Sequence, residues 1–181
     1  MVSREVDIRN AKLMGGIGAI LELVGGFIPY LGWVLPLAGL VLVLLALKRI
    51  SDETGKPTIF KDFLVSVIFM AIGNILFSLM GGITLLGSLS KGFKTIHLGV
   101  ALFAFLLSWV VILIGAYFLR MSYNTTAEAT GVGTFETAAS LIFYGAILTI
   151  ILIGGFVLLA GRIEEIVAFF SLPDILEVST S

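Results

Sequence analysis

The chain has 181 residues, 59% hydrophobic and 13% charged, with Lys+Arg 11 against Asp+Glu 12 and a formal net charge of −1. A soluble domain is about 45–50% apolar and about 25% charged, so a chain with a mean hydropathy of +1.14 has apolar surface in excess of any water-facing fold, and the excess must face lipid. The balanced charge gives no basic field for nucleic acid. Without cysteine there are no disulfides, Cys-ligated zinc, iron–sulfur clusters or thiol nucleophiles, and with His97 as the single histidine neither a metal site nor a cofactor is expected.

Charge-free runs of about 20 residues mark helices able to cross a bilayer core of about 30 Å. The N-terminal segment mixes Glu5 and Asp7 with its bases and shows no small-x-small cleavage pattern, so it is expected to be retained and not removed as a signal peptide. The first helix is read at 13–28, interrupted by Glu22, and an uncharged turn from Tyr30 to Trp33 follows between Pro29 and Pro36. The second helix is read at 33–47, with Tyr30 and Trp33 suited to an interfacial aromatic belt. These two are short enough to form a shallow hairpin as an alternative to two full spans. The third helix is read at 63–83, before a Gly/Ser-rich connection from Gly87 to Lys94, the fourth at 96–119 and the fifth at 138–160. No run has the period-two alternation of barrel strands, so the expected fold is all-α: a polytopic helical membrane protein of about five transmembrane helices, one membrane domain over 1–181.

Beyond the fifth helix, Ile163, Ile166, Val167 and Phe170 recur at helical spacing with Arg162, Glu164 and Glu165 opposite them, which predicts a short interfacial helix over 162–171 lying at the membrane surface. The tail from Pro173 to Ser181 is expected to be mobile. Basic residues near helix ends set orientation. Arg4, Arg9, Lys12, Lys48, Arg49, Lys56, Lys61 and Arg120 on one side, against Lys91, Lys94 and Arg162 on the other, place the N-terminus in the cytoplasm and the C-terminus outside, in a multi-pass protein of the plasma membrane.

A faint internal repeat relates Thr54-Gly55-Lys56-Pro57-Thr58-Ile59-Phe60 to Thr130-Gly131-Val132-Gly133-Thr134-Phe135. Each follows a basic helix end (Arg49-Ile50-Ser51 and Arg120-Met121-Ser122) and leads into a helix ending in a glycine pair, Gly81-Gly82 or Gly154-Gly155. Helices two and three would then be a parallel repeat of helices four and five. With Gly15-Gly16-Ile17-Gly18-Ala19-Ile20, Pro29-Tyr30-Leu31-Gly32-Trp33-Val34, Ala46-Leu47-Lys48-Arg49-Ile50-Ser51, Ala127-Glu128-Ala129-Thr130-Gly131-Val132, Gly145-Ala146-Ile147-Leu148-Thr149-Ile150-Ile151-Leu152 and Ala168-Phe169-Phe170, these loops make the chain similar, over nearly its whole length, to the mainly archaeal membrane proteins grouped as domain of unknown function 996. The resemblance implies a prokaryotic plasma-membrane protein and carries no activity, cofactor or catalytic residue.

Glu22 is the most informative residue. Ten residues into its helix it lies near mid-bilayer, where a carboxylate is costly and faces a bundle interior. Gly15, Gly18, Glu22 and Gly25 share one helix face, and small residues at that spacing admit a close neighbour. A larger side chain at Gly18 is therefore expected to destabilise more than one at Gly39. Ala71, Asn74, Ser78 and Gly81 form a matching stripe on the third helix. By depth, Glu22, Asn74, Ser108 and Thr149 make one candidate midplane polar layer, with Asn74 the expected partner of Glu22. The layer is either a proton, cation or small-solute site, or plain packing in which Ser108 and Thr149 bond their own helix carbonyls.

Enzymatic templates do not match. Gly16-Ile17-Gly18 lacks the third glycine and the preceding strand of a dinucleotide loop, His97 has no acid nearby in sequence, and Asp52-Glu53 and Glu164-Glu165 read as solvated acids. Asn124-Thr125-Thr126 matches a glycosylation sequon on the side read as cytoplasmic. No enzyme is expected. Two functions stay open: a structural or partner-binding membrane subunit, with glycine stripes making contacts to another copy or another membrane protein, and a small transporter- or channel-like unit with its site at Glu22.

Overall fold

The computed structural model describes residues 2–25, 27–28, 33–88, 96–151 and 153–180. Its elements are β1 (Val2–Asp7), α1 (Arg9–Gly25), α2 (Val34–Thr54), α3 (Pro57–Ser88), α4 (Ile96–Thr130), α5 (Thr134–Leu148), α6 (Gly154–Phe170) and β2 (Ile175–Thr180), with a single 3-10 turn at Thr149–Ile151 between α5 and α6. The turn from Tyr30 to Gly32, the connection carrying Lys91 and Lys94, and the surroundings of Gly81 and His97 lie outside what is described.

The chain runs as three antiparallel hairpins, α1–α2, α3–α4 and α5–α6. Each helix packs on its sequence neighbours and α6 returns to α1, so the six close a ring. Glycines let the partners approach. A Cβ on Gly18 would stand 2.7 Å from the Gly39 carbonyl oxygen, and one on Gly39 would run into the Gly18 carbonyl. Gly73 and Gly115 do the same for α3–α4, meeting Ile112 and Met70, and Gly145 and Gly161 for α5–α6, meeting Leu158 and Ile142. Gly25 abuts Pro36 of α2, while Gly15 and Gly16 abut the rings of Phe169 and Phe170 of α6. Backbones so close gain dispersion contacts that larger residues would prevent.

Two expectations change here. The run 138–160 is two helices. Gly154 folds against the Gly145 carbonyl and α6 turns back along α5, because Gly145, Gly154 and Gly161 let two helices meet where hydropathy alone suggests one straight span. The segment 162–171 is accordingly no separate interfacial helix: most of it is the last two turns of α6, with Glu165, Ala168 and Phe169 buried in the bundle. Gly39 is also no bystander, since it is the residue against which Gly18 packs.

The ends of the chain correct the topology. β1 and β2 pair antiparallel in register from Val2↔Thr180 to Asp7↔Ile175, with Val6 and Leu176 buried beneath them. Lys12 Nζ lies 3.1 Å from Asp174 Oδ1 and Arg4 bridges to Glu53. The tail is therefore an ordered strand over Ile175–Thr180, and both termini sit at one end of the bundle; the assignment of the C-terminus to the opposite side does not hold. An odd helix count had separated the ends, and the sixth helix reunites them.

The same end holds the two repeated loops. Gly55 (φ 67°) and Gly131 (φ 73°) each end a helix in the left-handed conformation that glycine adopts without a Cβ penalty. Lys56 and Glu128 meet across them at 3.8 Å, and the Ser122 hydroxyl donates to the Ile59 carbonyl at 2.7 Å. Beneath lie Ile8, Leu47, Ile50, Ile59 and Leu172 with a chain of rings: Tyr123 stacks on Phe63, and meets Phe135 edge-on, as Phe135 meets Phe169. This strand end is the densest part of the molecule.

Val34–Thr54, Pro57–Leu79, Gly99–Thr130 and Thr134–Ile151 are each long and apolar enough to cross a membrane. The first helix expected to cross, 13–28, is not among them. α1 runs from Arg9 to Gly25, includes Lys12 and Glu22, and rises only about 26 Å at 1.5 Å per residue, as does α6. Both still turn apolar side chains outward: Leu13, Ile17 and Val24 from α1, and Phe156, Ile163 and Val167 from α6. α3 and α4 rise about 48 and 52 Å and overhang the other hairpins at the far end.

Glu5 and Glu177 are directly opposed in the sheet, and opposed Cα atoms, about 4.5–5.5 Å apart, suit a disulfide. Glu5→Cys with Glu177→Cys is expected to oxidise to an intramolecular crosslink in the membrane; no crosslink from this pair, in a chain otherwise free of cysteine, would place the termini apart. Gly18→Leu and Gly39→Leu are expected to cost about equally, about 1–3 kcal/mol each by overpacking, read as equal falls of the unfolding temperature in detergent.

Candidate functional site

Polar side chains within an apolar bundle persist where partners offset their lost hydration. Such a group lies between α1, α4 and α6. Glu22 points back along α1 toward the strand end and Arg162 points back along α6 toward the far end, as Cα–Cβ bonds tilt toward a helix N-terminus, so the two heads meet. Arg162 Nη1 lies 3.0 Å from Glu22 Oε2 and 2.7 Å from Glu165 Oε2. The Tyr123 hydroxyl of α4 donates to Glu165 Oε1. A chain of four polar side chains thus links three helices.

Its members are unequally satisfied. Glu165 is 1% exposed and has a donor on each oxygen. Glu22, 11% exposed, is paired through Oε2 alone, and its Oε1 is buried with no hydrogen-bond partner among the described residues. Arg162, 32% exposed, borders open space. That space is a cavity of about 430 Å³ between α1, α2, α3 and α6, with Glu22, Arg162 and Asn74 on its wall and Leu37, Leu40, Val67 and Met70 as its apolar lining. Ligand sites run about 300–1,000 Å³ with a few polar groups on a mostly apolar wall, so this one is small and of that kind.

The four candidates for a midplane layer separate. Asn74 lines the same cavity as Glu22, but its amide donates to the Met70 carbonyl of its own helix at 2.8 Å, and Glu22 takes Arg162 as partner instead. Ser108 is buried against α3 and donates to the Ala104 carbonyl at 2.8 Å. Thr149 is exposed at the end of α5 and donates to the Gly145 carbonyl at 2.9 Å. Neither lines the cavity, so equal depth does not bring them to Glu22.

Arg162, Glu165 and Tyr123 escape a reading by composition. The charges of α6 do lie opposite Ile163, Val167 and Phe170, but the apolar face looks outward and Arg162 and Glu165 look inward. The available signal is that Glu22 and Arg162 are the acid and base that most deeply interrupt apolar runs, one charge of each sign. A second, smaller cavity of about 340 Å³ lies at the strand end beside Asn124, Glu128 and Glu136. Within it the Asn124 side-chain oxygen has no partner, and no cluster of three metal-ligating side chains occurs among the described residues.

Comparison with known proteins gives a family without an assigned role. Residues 35–163 match the family described as "Protein of unknown function (DUF996)". An uncharacterized protein of the archaeon Methanocaldococcus jannaschii is 36% identical over 179 residues, covering 94% of this chain and 96% of the relative. No solved structure matches.

Removing the base should cost more than neutralising one acid. Arg162→Met strands two carboxylates and is expected to cost about 3–5 kcal/mol, as for one partner of a buried pair. Glu22→Gln keeps an oxygen for Arg162 and is expected to cost about 1 kcal/mol. Unfolding temperatures in detergent check the order; an Arg162→Met protein as stable as Glu22→Gln would show that the arginine does not hold the group together.

Proposed function

The chain belongs to the family described as Protein of unknown function (DUF996), and we propose that it acts as a small transporter-like membrane unit whose solute site is the cavity at Glu22 and Arg162. One observation carries this reading: the cavity ends on a charged pair that is only half satisfied. A salt bridge kept for packing is best sealed and fully bonded, because a partly satisfied polar group in a low dielectric costs more than it returns. Here Arg162 stays a third exposed and Glu22 lacks a donor. The asymmetry of the bundle agrees with a site reached from one side. The strand end is closed by Phe63, Tyr123, Phe135 and Phe169, and the far end, where α1 and α6 are short, is where the cavity sits.

The subunit reading relied on glycine stripes free for a partner. Gly15, Gly18 and Gly25 are spent on Phe169, Gly39 and Pro36 of the same chain, so nothing specific favours that reading. For orientation, Arg4, Arg9, Lys12, Lys48, Arg49, Lys56, Lys61 and Arg120 all belong to the strand end, which the positive-inside rule puts in the cytoplasm of a plasma-membrane protein, with both termini inside.

In this cysteine-free chain an engineered thiol reports water access. Asn74→Cys is expected to react with a membrane-impermeant thiol reagent applied to the face opposite the termini and not from the terminal face, and Ala46→Cys, fully buried in α2, from neither. An Asn74→Cys protein inert from both faces would mean that the cavity holds lipid, and the solute reading would fall.

A further inference from the structure

We infer that the ligand of the cavity at Glu22 is a small amphipathic organic cation: one ammonium-type head on an apolar body. The inference rests on the cavity being a solute site and adds its chemical class. Charge accounting comes first. Glu22 and Glu165 face a single guanidinium, so with all three ionised the buried group carries one uncompensated negative charge. Glu165 is not where that charge is available, because Arg162 and Tyr123 occupy its two oxygens and it is 1% exposed. Glu22 is. It lines the cavity, and the oxygen that Arg162 leaves untouched has no donor. A buried carboxylate oxygen without a donor costs stability that a ligand with N–H groups would restore.

The rest of the wall selects the body. Leu37, Leu40, Val67 and Met70 offer apolar contact, and Met adapts to irregular shapes through its flexible thioether. Asn74 spends its amide donors at least in part on Met70 and leaves its side-chain oxygen as a further acceptor for an N–H donor. An inorganic cation would lack any match to four apolar side chains, and a carboxylate would meet Glu22 as a like charge. Arg162 favours an anion, but its Nη1 is already held by two carboxylates.

Three probes with one body and different heads separate the possibilities: 2-phenylethylammonium, 2-phenylethanol and 3-phenylpropanoate, titrated into the full-length protein in zwitterionic nanodiscs, with empty nanodiscs as the blank for partitioning. The ammonium is expected to bind at least about ten-fold tighter than the alcohol, a difference of about 1.4 kcal/mol, and the carboxylate not measurably. Glu22→Gln is expected to bring ammonium and alcohol to equal affinity. Ala71→Trp, which fills the cavity from an exposed position of α3 and leaves the charges in place, is expected to abolish binding of both. Equal binding of ammonium and alcohol by the unaltered protein would overturn the cationic assignment, as would preference for the carboxylate; both leave the solute site standing. Unchanged ammonium preference in Glu22→Gln would overturn the role of Glu22. If no probe binds, the ligand class falls, while labelling at Asn74→Cys decides separately whether the cavity is open to water.

Discussion

A guanidinium shared by two carboxylates is an expensive thing to place among leucines and valines. Each charge gives up hydration worth many kcal/mol, and their attraction offsets that loss only if geometry is held tightly. In this bundle the holding is done by the helices the charges join. Arg162 ties α6 to α1 through Glu22, and Glu165 ties α6 to α4 through Tyr123. Because α1 and α6 are the first and last helices, this one contact decides whether six helices make a closed ring or three loosely associated hairpins. The glycines at 15 and 16, against Phe169 and Phe170, bring α1 close enough for the pair to form.

Everything outside that group follows the logic of a molecule turned inside out. Side chains that a soluble protein would bury, such as Phe156, Ile163 and Val167, point away from the bundle, and the charges in the same helix point in. Between helices the hydrophobic effect offers little, since lipid is as apolar as leucine, so close approach over glycine and a few hydrogen bonds provide the cohesion. Trp109 donating to the Ala146 carbonyl at 3.0 Å is one such bond, joining α4 to α5. At the strand end the rules revert to those of a soluble protein, with aromatic packing, left-handed glycine caps and surface ion pairs.

Much of this was legible in the sequence. Glu22 in an apolar run implied an inward carboxylate, Gly18 a close helix, and the paired Thr-Gly loops two equivalent turns, and those readings needed only local spacing. What failed needed direction. A run such as 138–160 is long enough for one span and equally able to fold back, and hydropathy carries no sign for the choice; the glycines at 145, 154 and 161 were the signal. Amphipathic spacing in 162–170 showed two faces without showing which solvent each meets. Depth along a helix placed Ser108 and Thr149 level with Glu22 but said nothing of position around the ring. Pairing of Val6 with Leu176 joins the two extremes of the chain, and no window of sequence contains both.

The wide separation of Glu22 and Arg162 along the chain has a consequence for biosynthesis. Ribosomes add residues at about 5–20 per second, so roughly 140 residues lie between the two, and Glu22 leaves the ribosome about 7–28 s before its arginine exists. During that interval α1 and α2 can already meet through Gly18 and Gly39, but the carboxylate has no counter-charge, and the cell's insertion machinery must shelter the first hairpin until the last one arrives. Closure of β1 on β2 comes later still, when the polypeptide is released. Lock and latch are therefore set in one final act, and any copy truncated before α6 would present an orphaned acid to the membrane, the kind of defect by which quality-control proteases recognise an unfinished chain.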